Sequence, residues 1–275
     1  MPELPEVETI RRGLEADMLG AEIAAIECRF PGVFVCDDVA YRLPLRVHAL
    51  RRRGKYLLVD VSDANGRPFL FAVHLRMTGK LLLRHEPAEP APHTHVCLTL
   101  ADGRRLDFVD VRRFGRIWLF PGHAETVHPT IAALGPEPLS DDFTAASLWR
   151  SIRRHPAQAI KATLLDQTEI AGLGNIYADE ALFLAGIRPQ RHGRSLRKAE
   201  AARLHTAIRD VLRLGIGHRG TSFRDYVNSL GQPGSFQQLL HVYGRSGEAC
   251  LVCGCPLETI RVAGRTTRFC PACQR

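Results

Sequence analysis

The first ten residues read MPELPEVETI (1–10) and predict a helix that begins almost at the N-terminus. Proline is tolerated in the first turn of a helix, and Glu6 and Glu8 lie where the helix dipole favours anions. Apolar residues then recur at helical spacing, at Val7, Ile10, Leu14 and Met18. We therefore expect an amphipathic helix that packs one face against the elements that follow it.

Beyond Gly20 the sequence changes to short apolar or alternating runs, which are typical of β-strands. Turn signals separate several of these runs, for example Ala64-Asn65-Gly66. The predicted strands are Ile23–Phe30, Leu45–Arg51, Tyr56–Val61, Phe69–Leu75, Leu81–Arg84, Val96–Leu100, Arg105–Val109 and Arg116–Phe120. So many short strands in succession indicate a β-sandwich or a barrel.

A stretch rich in proline and acid, LGPEPLSDD at 134–142, ends the strand-rich part, and helical patterning follows it. Helices are expected near 144–154, 157–165, 176–185 and 196–214, and β-hairpins around four cysteines at 242–275. The predicted fold class is α+β with two domains. The predicted bounds are an N-terminal β-sandwich domain with its helix (1–134), a linker (135–149), a helical domain (150–240) and a terminal cysteine finger (241–275).

Composition indicates a soluble cytoplasmic protein. The chain has 275 residues, 45% of them hydrophobic, which is enough to bury a core without disulfides. No apolar run approaches the about 20 residues of a membrane span. The N-terminus also lacks the basic and then apolar order of a signal peptide.

Positive charge is concentrated in the second half of the chain. Residues 150–275 hold 19 Lys and Arg against 9 Asp and Glu, whereas residues 1–149 hold 18 against 20. This asymmetry favours a polyanionic partner, since release of counter-ions from phosphates would supply affinity. A merely solvated arginine-rich surface is equally compatible with the charge alone.

The pairs Cys250-x2-Cys253 and Cys270-x2-Cys273 enclose sixteen residues, which is the spacing of a structural zinc site. Four thiolates close the tetrahedron, so one zinc ion would be structural and leave no position for catalysis. Accidental spacing or a redox CxxC pair is the alternative. Cys255 lies too close to Cys253 to replace it easily, and Cys28, Cys36 and Cys97 are expected to be buried.

The segment Gly172-Leu173-Gly174-Asn175 precedes a predicted helix, so its backbone amides and the Asn175 side chain could hold a phosphate. It lacks the third glycine and the preceding strand of a dinucleotide fingerprint, which argues against a nucleotide cofactor. An ordinary tight turn capped by Asn175 is the alternative.

Pro2 is a candidate nucleophile. A small residue after Met1 permits removal of the methionine, and the free amine of Pro2 would titrate near the usual pKa of about 7.7–8.0. Glu3 lies beside it as a proton donor or acceptor. The alternative is that both prolines only make a rigid helix entry. Lys55 follows three arginines in a chain with only 4 lysines, which indicates a role in proton transfer, since Arg cannot give up its proton.

Five motifs together resemble the formamidopyrimidine-DNA glycosylase family from end to end. They are MPELPEVE at 1–8, RGKYLL at 53–58, RRFG at 112–115, GLGNIYADE at 172–180 and the four-cysteine finger. The resemblance implies a β-sandwich, a helix-two-turn-helix domain and a zinc finger, with DNA bound between the domains. It also implies excision of oxidised purines, such as 8-oxoguanine and formamidopyrimidines, followed by β,δ-elimination at the abasic site.

Site residues follow from the same resemblance. Pro2 would attack C1′ of the damaged nucleotide, Glu3 would act as acid and base, Lys55 would assist β-elimination, and Arg265 would contact phosphate and support δ-elimination. The side chains expected to fill the gap left by the everted nucleotide are Met77, Arg112 and Phe114. The expected phosphate contacts are His93, Arg112, Arg154, Lys161 and Asn175.

Two departures from the family pattern bear on substrate preference. Val111 stands where a proline is usual, and Arg219 stands where a glycine is common. Two other functions remain open: an endonuclease VIII-like glycosylase for oxidised pyrimidines, whose members typically have glycine at the position of Leu4, and a zinc-ribbon DNA-binding protein without catalysis. We expect a monomeric bacterial protein, associated with the nucleoid, whose partner is damaged double-stranded DNA.

Overall fold

The computed structural model describes residues 1–36, 40–86, 89–122, 128–223 and 226–275. By packing, the chain forms two units: an N-terminal unit of Met1–Ala132 with His218–Ser235, and a C-terminal unit of Ala133–Gly217 with Phe236–Arg275. The domain and linker bounds drawn from the sequence remain a prediction. The structure adds that the segment 218–235 returns to the N-terminal unit after the long helical stretch.

Among its described residues, the N-terminal unit holds the long helix α1 (Leu4–Met18) and nine strands in one hydrogen-bonded sheet. The strands are β1 (Glu22–Cys28), β2 (Phe34–Val35), β3 (Leu45–Arg53), β4 (Tyr56–Ser62), β5 (Pro68–His74), β6 (Lys80–Arg84), β7 (Thr94–Leu100), β8 (Arg105–Val109) and β9 (Arg116–Pro121). Their order is β2-β9-β5-β4-β3-β1-β7-β8-β6. Only β2 and β9 pair in parallel; every other pairing among the described strands of this sheet is antiparallel.

Strand β1 joins the two halves of the sheet. It pairs with β3 through Glu22 and Ile23 and with β7 from Ile23 to Cys28, and a bulge between Ile23 and Ala25 interrupts the pairing with β7. A bulge bends a strand and increases its twist, so the halves can fold over a shared core. Leu57 of β4 and Leu98 of β7 line the same apolar interior. The predicted N-terminal β-sandwich is thus confirmed.

Helix α1 covers this core with the face predicted from its periodicity: Val7, Ile10, Leu14 and Met18 are all buried. All eight predicted strands are present, with ends displaced by no more than two residues. Strand β2 was not predicted because two residues give no measurable alternation. The short helix α2 (Pro129–Ala132) was missed because four residues are too few to show a helical period.

The C-terminal unit holds helices α3 (Ala145–Arg154), α4 (Ile160–Leu165), α5 (Asn175–Leu184) and α6 (Lys198–Gly217), and a terminal hairpin of β10 (Glu258–Val262) and β11 (Arg265–Phe269). These confirm the predicted helices, although α4 begins later than the predicted residue 157 because Ala159 instead pairs with His192 in a β-bridge. Every helix in the described part of the chain is too short or too polar to cross a bilayer.

A buried carboxylate ties the long segment after α6 to the helical core. Glu180 in α5 is 1% exposed, and its side chain accepts hydrogen bonds from the backbone amides of His241, Val242 and Tyr243 at 2.8–2.9 Å. Charge-assisted bonds of this kind offset the cost of burying the charge. Residues 241–243 therefore hold a fixed position from which the finger begins.

His74, at the end of β5, is a buried neutral histidine. Its ring lies edge-on to Tyr56 at 4.6 Å, and its Nδ1 accepts a hydrogen bond from the backbone amide of Arg76 at 3.0 Å. Burial, with the nearby charges of Arg76 and Lys55, lowers the pKa of His74 from 6.5 to about 3. Only the neutral ring can accept this hydrogen bond at Nδ1, so the neutral form holds the turn that follows β5.

The lowered pKa of His74 predicts a specific loss of stability in acid. Between pH 6.5 and about 3 the unfolded chain binds the proton more readily, so this contribution to stability is full above pH 6.5 and is lost as the pH falls towards 3. In His74→Gln the free energy of unfolding should fall less steeply over that range than in the wild type. Urea unfolding at several pH values measures both slopes, and parallel slopes would contradict the assignment.

Candidate functional site

The N-terminal segment is held by one buried carboxylate. Glu3 is the N-cap of α1, and Pro2 before it is buried. Glu6, 1% exposed, accepts a hydrogen bond from the Glu3 amide on one oxygen and from the Thr221 amide on the other, each at 2.8 Å. The Pro2–Glu3 peptide is therefore pinned both to its own helix and to the segment 218–235. Sequence reasoning missed this role of Glu6, although the Glu3-x-x-Glu6 capping-box spacing signals it.

Lys55 lies in the tight turn between β3 and β4, after Gly54 with φ +56°. It is only 6% exposed. The turn is held near the first turns of α1, because Arg52 of β3 pairs with Glu8 of α1 at 3.3 Å. The structure thus places the turn that carries Lys55 near the N-terminal end of α1, which Pro2 and Glu3 precede.

Two loops present the three side chains predicted to enter DNA. Met77 lies in the loop 75–79 and Arg112 and Phe114 in the loop 110–115, and all three are exposed. Arg112 donates a hydrogen bond to the Met77 sulfur at 3.2 Å, and its guanidinium carbon lies 4.6 Å from the Phe114 ring centroid. An exposed cluster of two apolar groups around an arginine has the composition of a side-chain wedge that separates stacked bases.

His93 precedes β7 with an exposed side chain and φ +66°. Its carbonyl accepts a hydrogen bond from the Asp110 amide at 3.0 Å, so the residue is attached to the base of the loop 110–115. The structure therefore brings this predicted phosphate contact next to the exposed cluster.

In the C-terminal unit, Asn175 and Lys161 both contact the finger hairpin. The side-chain amide of Asn175 donates a hydrogen bond to the Thr266 carbonyl at 3.0 Å. Lys161 is fully buried, and its ammonium lies 2.6 Å both from Asp179 and from the Thr267 hydroxyl. Lys161 thus lies buried beside the finger hairpin, and the phosphate contact predicted for it stays a prediction. Its partner Asp179 was not predicted; burial raises the pKa of that carboxyl to about 6, and Lys161 opposes the shift.

The remaining two predicted arginines of this unit are accessible. Arg154 ends α3 with a side chain that is 61% exposed, and it pairs with Glu169. Arg265 begins β11, directly after the two-residue turn Ala263-Gly264 at the tip of the hairpin, and is exposed. Both long side chains therefore extend into solvent.

The four predicted zinc ligands converge. The Sγ atoms of Cys250, Cys253, Cys270 and Cys273 all lie within 4.8 Å of one another, as a tetrahedral four-thiolate site requires. The finger thus has the donor set for one structural zinc ion, as predicted. Of the other cysteines, Cys97 is buried as expected, but Cys28 is exposed and that expectation was wrong.

The two departures from the family pattern lie on the surface. Val111 is 56% exposed at the start of the loop 110–115. Arg219 has φ +59°, the left-handed conformation that favours glycine, so a side chain at this position costs about 1 kcal/mol of backbone strain. It precedes Gly220, where a Cβ atom would meet the Glu6 side chain at 2.9 Å.

Three family models match the chain in order. They describe the formamidopyrimidine-DNA glycosylase N-terminal domain (residues 1–117), the formamidopyrimidine-DNA glycosylase H2TH domain (134–226), and the zinc finger found in FPG and IleRS (247–275). A formamidopyrimidine-DNA glycosylase of Desulfitobacterium hafniense is 48% identical over 281 residues, which cover all of both chains.

Solved structures agree with this match. The crystal structure of the MutM (Fpg) protein from Thermus thermophilus has a TM-score of 0.88 and 42% identity, over 99% of this chain and 98% of that one. A mutant Lactococcus lactis Fpg in complex with a Fapy-dG-containing DNA has a TM-score of 0.88 and 38% identity, over the full length of both. Sequence, fold and finger therefore agree, and the chain belongs to the formamidopyrimidine-DNA glycosylase family.

Proposed function

We propose that this chain performs base-excision repair with the Pro2 amine as its covalent nucleophile. It is a bifunctional DNA glycosylase and abasic-site lyase that removes oxidised purines from damaged double-stranded DNA. The observation that carries the role of Pro2 is the Glu6 carboxylate, which holds the Glu3 amide and the Thr221 amide at 2.8 Å each. A nucleophile on a frayed terminus would lose the advantage of orientation, and this pair of bonds prevents fraying.

The proposed reaction begins when the Pro2 nitrogen, free of Met1, attacks C1′ of the everted nucleotide. The C1′–N bond breaks, and the base leaves with a proton supplied through Glu3. Opening of the C1′–O4′ bond, with the Pro2 N–H proton passing to O4′, then leaves an iminium between Pro2 and C1′. Loss of a C2′ proton expels the 3′ phosphate, a second elimination expels the 5′ phosphate, and water releases the sugar fragment from Pro2.

Lys55 and Arg265 are proposed to serve the elimination steps. Lys55 is 6% exposed in the turn beside α1, and its proposed role is to assist β-elimination. Arg265, exposed at the hairpin tip, offers a permanent cation for a phosphate that leaves. Arg265 thus offers a fixed positive charge to the phosphate that leaves.

The proposed DNA contacts divide by chemistry. Met77, Arg112 and Phe114 would occupy the space of the everted nucleotide, since Arg112 contacts the other two and all three face solvent. Further phosphate contacts are proposed for His93, Arg154 and Asn175. For Lys161 we propose support of the finger through Thr267, because its ammonium is buried. Cytoplasmic location at the nucleoid and a monomeric state are proposed with the function.

Borohydride trapping tests the covalent role. On a duplex with 8-oxoguanine, reduction of the iminium should join wild-type protein to DNA, whereas Pro2→Gly should lower the yield by at least about a hundredfold, the low end for one catalytic group. Pro5→Ala is the matched control, since it changes the rigid helix entry and leaves the amine. Full trapping by Pro2→Gly, or intact Met1 in the active protein, would refute the mechanism. Stronger trapping on thymine glycol would identify pyrimidines as the substrate.

Salt dependence tests the phosphate contact of Arg265. Arg265→Ala should weaken binding to every DNA sequence and reduce the slope of log affinity against log salt by about 0.9, the value for one phosphate. Arg213→Ala, which removes an exposed arginine of α6, should leave the slope at the wild-type value. Fluorescence anisotropy at several salt concentrations gives both slopes, and equal slopes would remove Arg265 from the contacts.

Zinc removal tests the finger. Cys253→Ser should lose the metal, unfold the hairpin that carries Arg265 and abolish DNA binding. Cys255→Ser should keep the metal, because Cys255 is outside the four-thiol cluster. Elemental analysis and anisotropy measure zinc content and affinity in parallel. Unchanged affinity after confirmed zinc loss would show that the finger does not bind DNA.

A further inference from the structure

The strand register places the loops 75–79 and 110–115 side by side. The first loop connects β5 to β6, and the second connects β8 to β9. Strands β5 and β9 pair with His74 opposite Arg116, and strands β6 and β8 pair with Lys80 opposite Val109. Both loops therefore connect the β5–β9 pair with the β6–β8 pair, in opposite directions, so the ends of one loop lie beside the ends of the other.

Each loop is closed by a glycine at a position where the Cβ atom of any other residue would have no room. The Gly79 amide donates to the Leu75 carbonyl at 3.0 Å, and a Cβ at Gly79 would lie 2.5 Å from that same oxygen. The Gly115 amide donates to the Asp110 carboxylate at 2.7 Å, and a Cβ there would lie 2.6 Å from the Phe108 ring. Both loops are thus tight turns that cannot be loosened without loss of backbone hydrogen bonds.

A single buried carboxylate connects the two loops. Asp110 is fully buried, and one of its oxygens accepts the Gly115 amide. The other oxygen accepts a hydrogen bond from the Thr78 hydroxyl and one from the Arg112 amide at 3.2 Å. Thr78 lies 32 residues before Asp110 and directly follows Met77, so the Thr78–Asp110 bond is a direct link between the loop of Met77 and that of Arg112 and Phe114.

The backbone at this link is held in an uncommon conformation. Arg76, directly before Met77, has φ +54°, and Arg113, between Arg112 and Phe114, has φ +58°. Non-glycine residues with left-handed φ persist only where surrounding contacts determine them, and they concentrate at functional sites. Here the contacts are the His74 ring, which accepts the Arg76 amide at 3.0 Å, and the Asp110 carbonyl, which accepts the Arg113 amide at 3.2 Å.

We propose that Asp110 is a positioning residue that, through the Thr78 hydroxyl, locks the loops 75–79 and 110–115 into one preorganised wedge. This inference rests on the proposed function, in which Met77, Arg112 and Phe114 fill the gap left by the everted nucleotide. A wedge ordered before DNA arrives does not lose conformational entropy when it enters the duplex. The bond between Thr78 and Asp110 therefore accelerates strand opening and leaves the chemistry at Pro2 unchanged.

The test uses Thr78→Val and Thr78→Ser in the full-length zinc-loaded protein. Valine removes the hydroxyl at nearly constant size, serine restores it, and neither changes Asp110, whose replacement could prevent folding. Each variant is assayed on two duplexes, one with 8-oxoguanine opposite cytosine and one with 8-oxoguanine opposite a missing nucleotide. The second duplex is already open at the position that the wedge would enter.

Thr78→Val should excise the paired lesion about tenfold more slowly than the wild type, the effect of one lost hydrogen bond to a charged group. On the open duplex its rate should stay within about twofold of the wild type, because strand opening no longer limits the reaction. Thr78→Ser should match the wild type on both. Unchanged excision of the paired lesion by Thr78→Val, an equal loss on both duplexes, or failure of serine to restore the rate would each overturn the proposal.

Amide hydrogen exchange in the free protein separates this inference from the proposed function. The amides of Arg112 and Gly115 should exchange about tenfold faster in Thr78→Val than in the wild type or in Thr78→Ser, since they share the Asp110 carboxylate. Equal exchange in all three proteins would show that no lock exists. Wild-type protein that excises no lesion would refute the function, and the exchange rates would still decide whether Thr78 locks the loops.

Discussion

The site depends on one buried carboxylate. Glu6 lies in the first turn of α1 with 1% of its surface exposed, and a charge so placed is stable only if hydrogen-bond donors surround it. Two backbone amides, from Glu3 and from Thr221, supply those bonds. Because the donors come from residues more than 200 positions apart in the sequence, satisfying the carboxylate fixes the N-terminus and the segment 218–235 together. The amine of Pro2 gains a defined position as a consequence of that requirement.

Buried charge is used in the same way elsewhere in each unit. Asp110 ties the two loops that carry Met77, Arg112 and Phe114, and Glu180 holds the backbone at 241–243. In the C-terminal unit Lys161 and Asp179 form a fully buried pair that also reaches Thr267 of the finger hairpin. Such contacts orient backbone more strictly than apolar packing does, since a buried charge that loses its partner is costly. Exposed functional side chains are thereby carried on rigid supports.

The finger shows how the two kinds of support combine. Its hairpin is too short to bury a core of its own, and the four thiolates bound to zinc close its base. Bonds from Asn175 and Lys161 to Thr266 and Thr267 then fix the strand β11 against the helices of the same unit. Arg265 starts that strand, so its position depends on the metal at one end and on the helices along the side.

Much of this was determined by the sequence itself. Apolar spacing set α1 and the eight longer strands, because periods of 3.6 and 2 residues are local properties. Cysteine spacing set the zinc site, and short motifs identified the family, the candidate nucleophile and the exposed arginines. The sequence did not reveal which polar residues meet in the folded chain: Glu6 with Thr221, Thr78 with Asp110, and Lys161 with Asp179. These partners lie far apart along the chain, and a charge alone does not reveal whether it will face a phosphate or a buried counter-charge. Lys161 is an example: its ammonium is fully buried beside Asp179, and a local sequence pattern does not contain the solvent access of a residue in the folded chain.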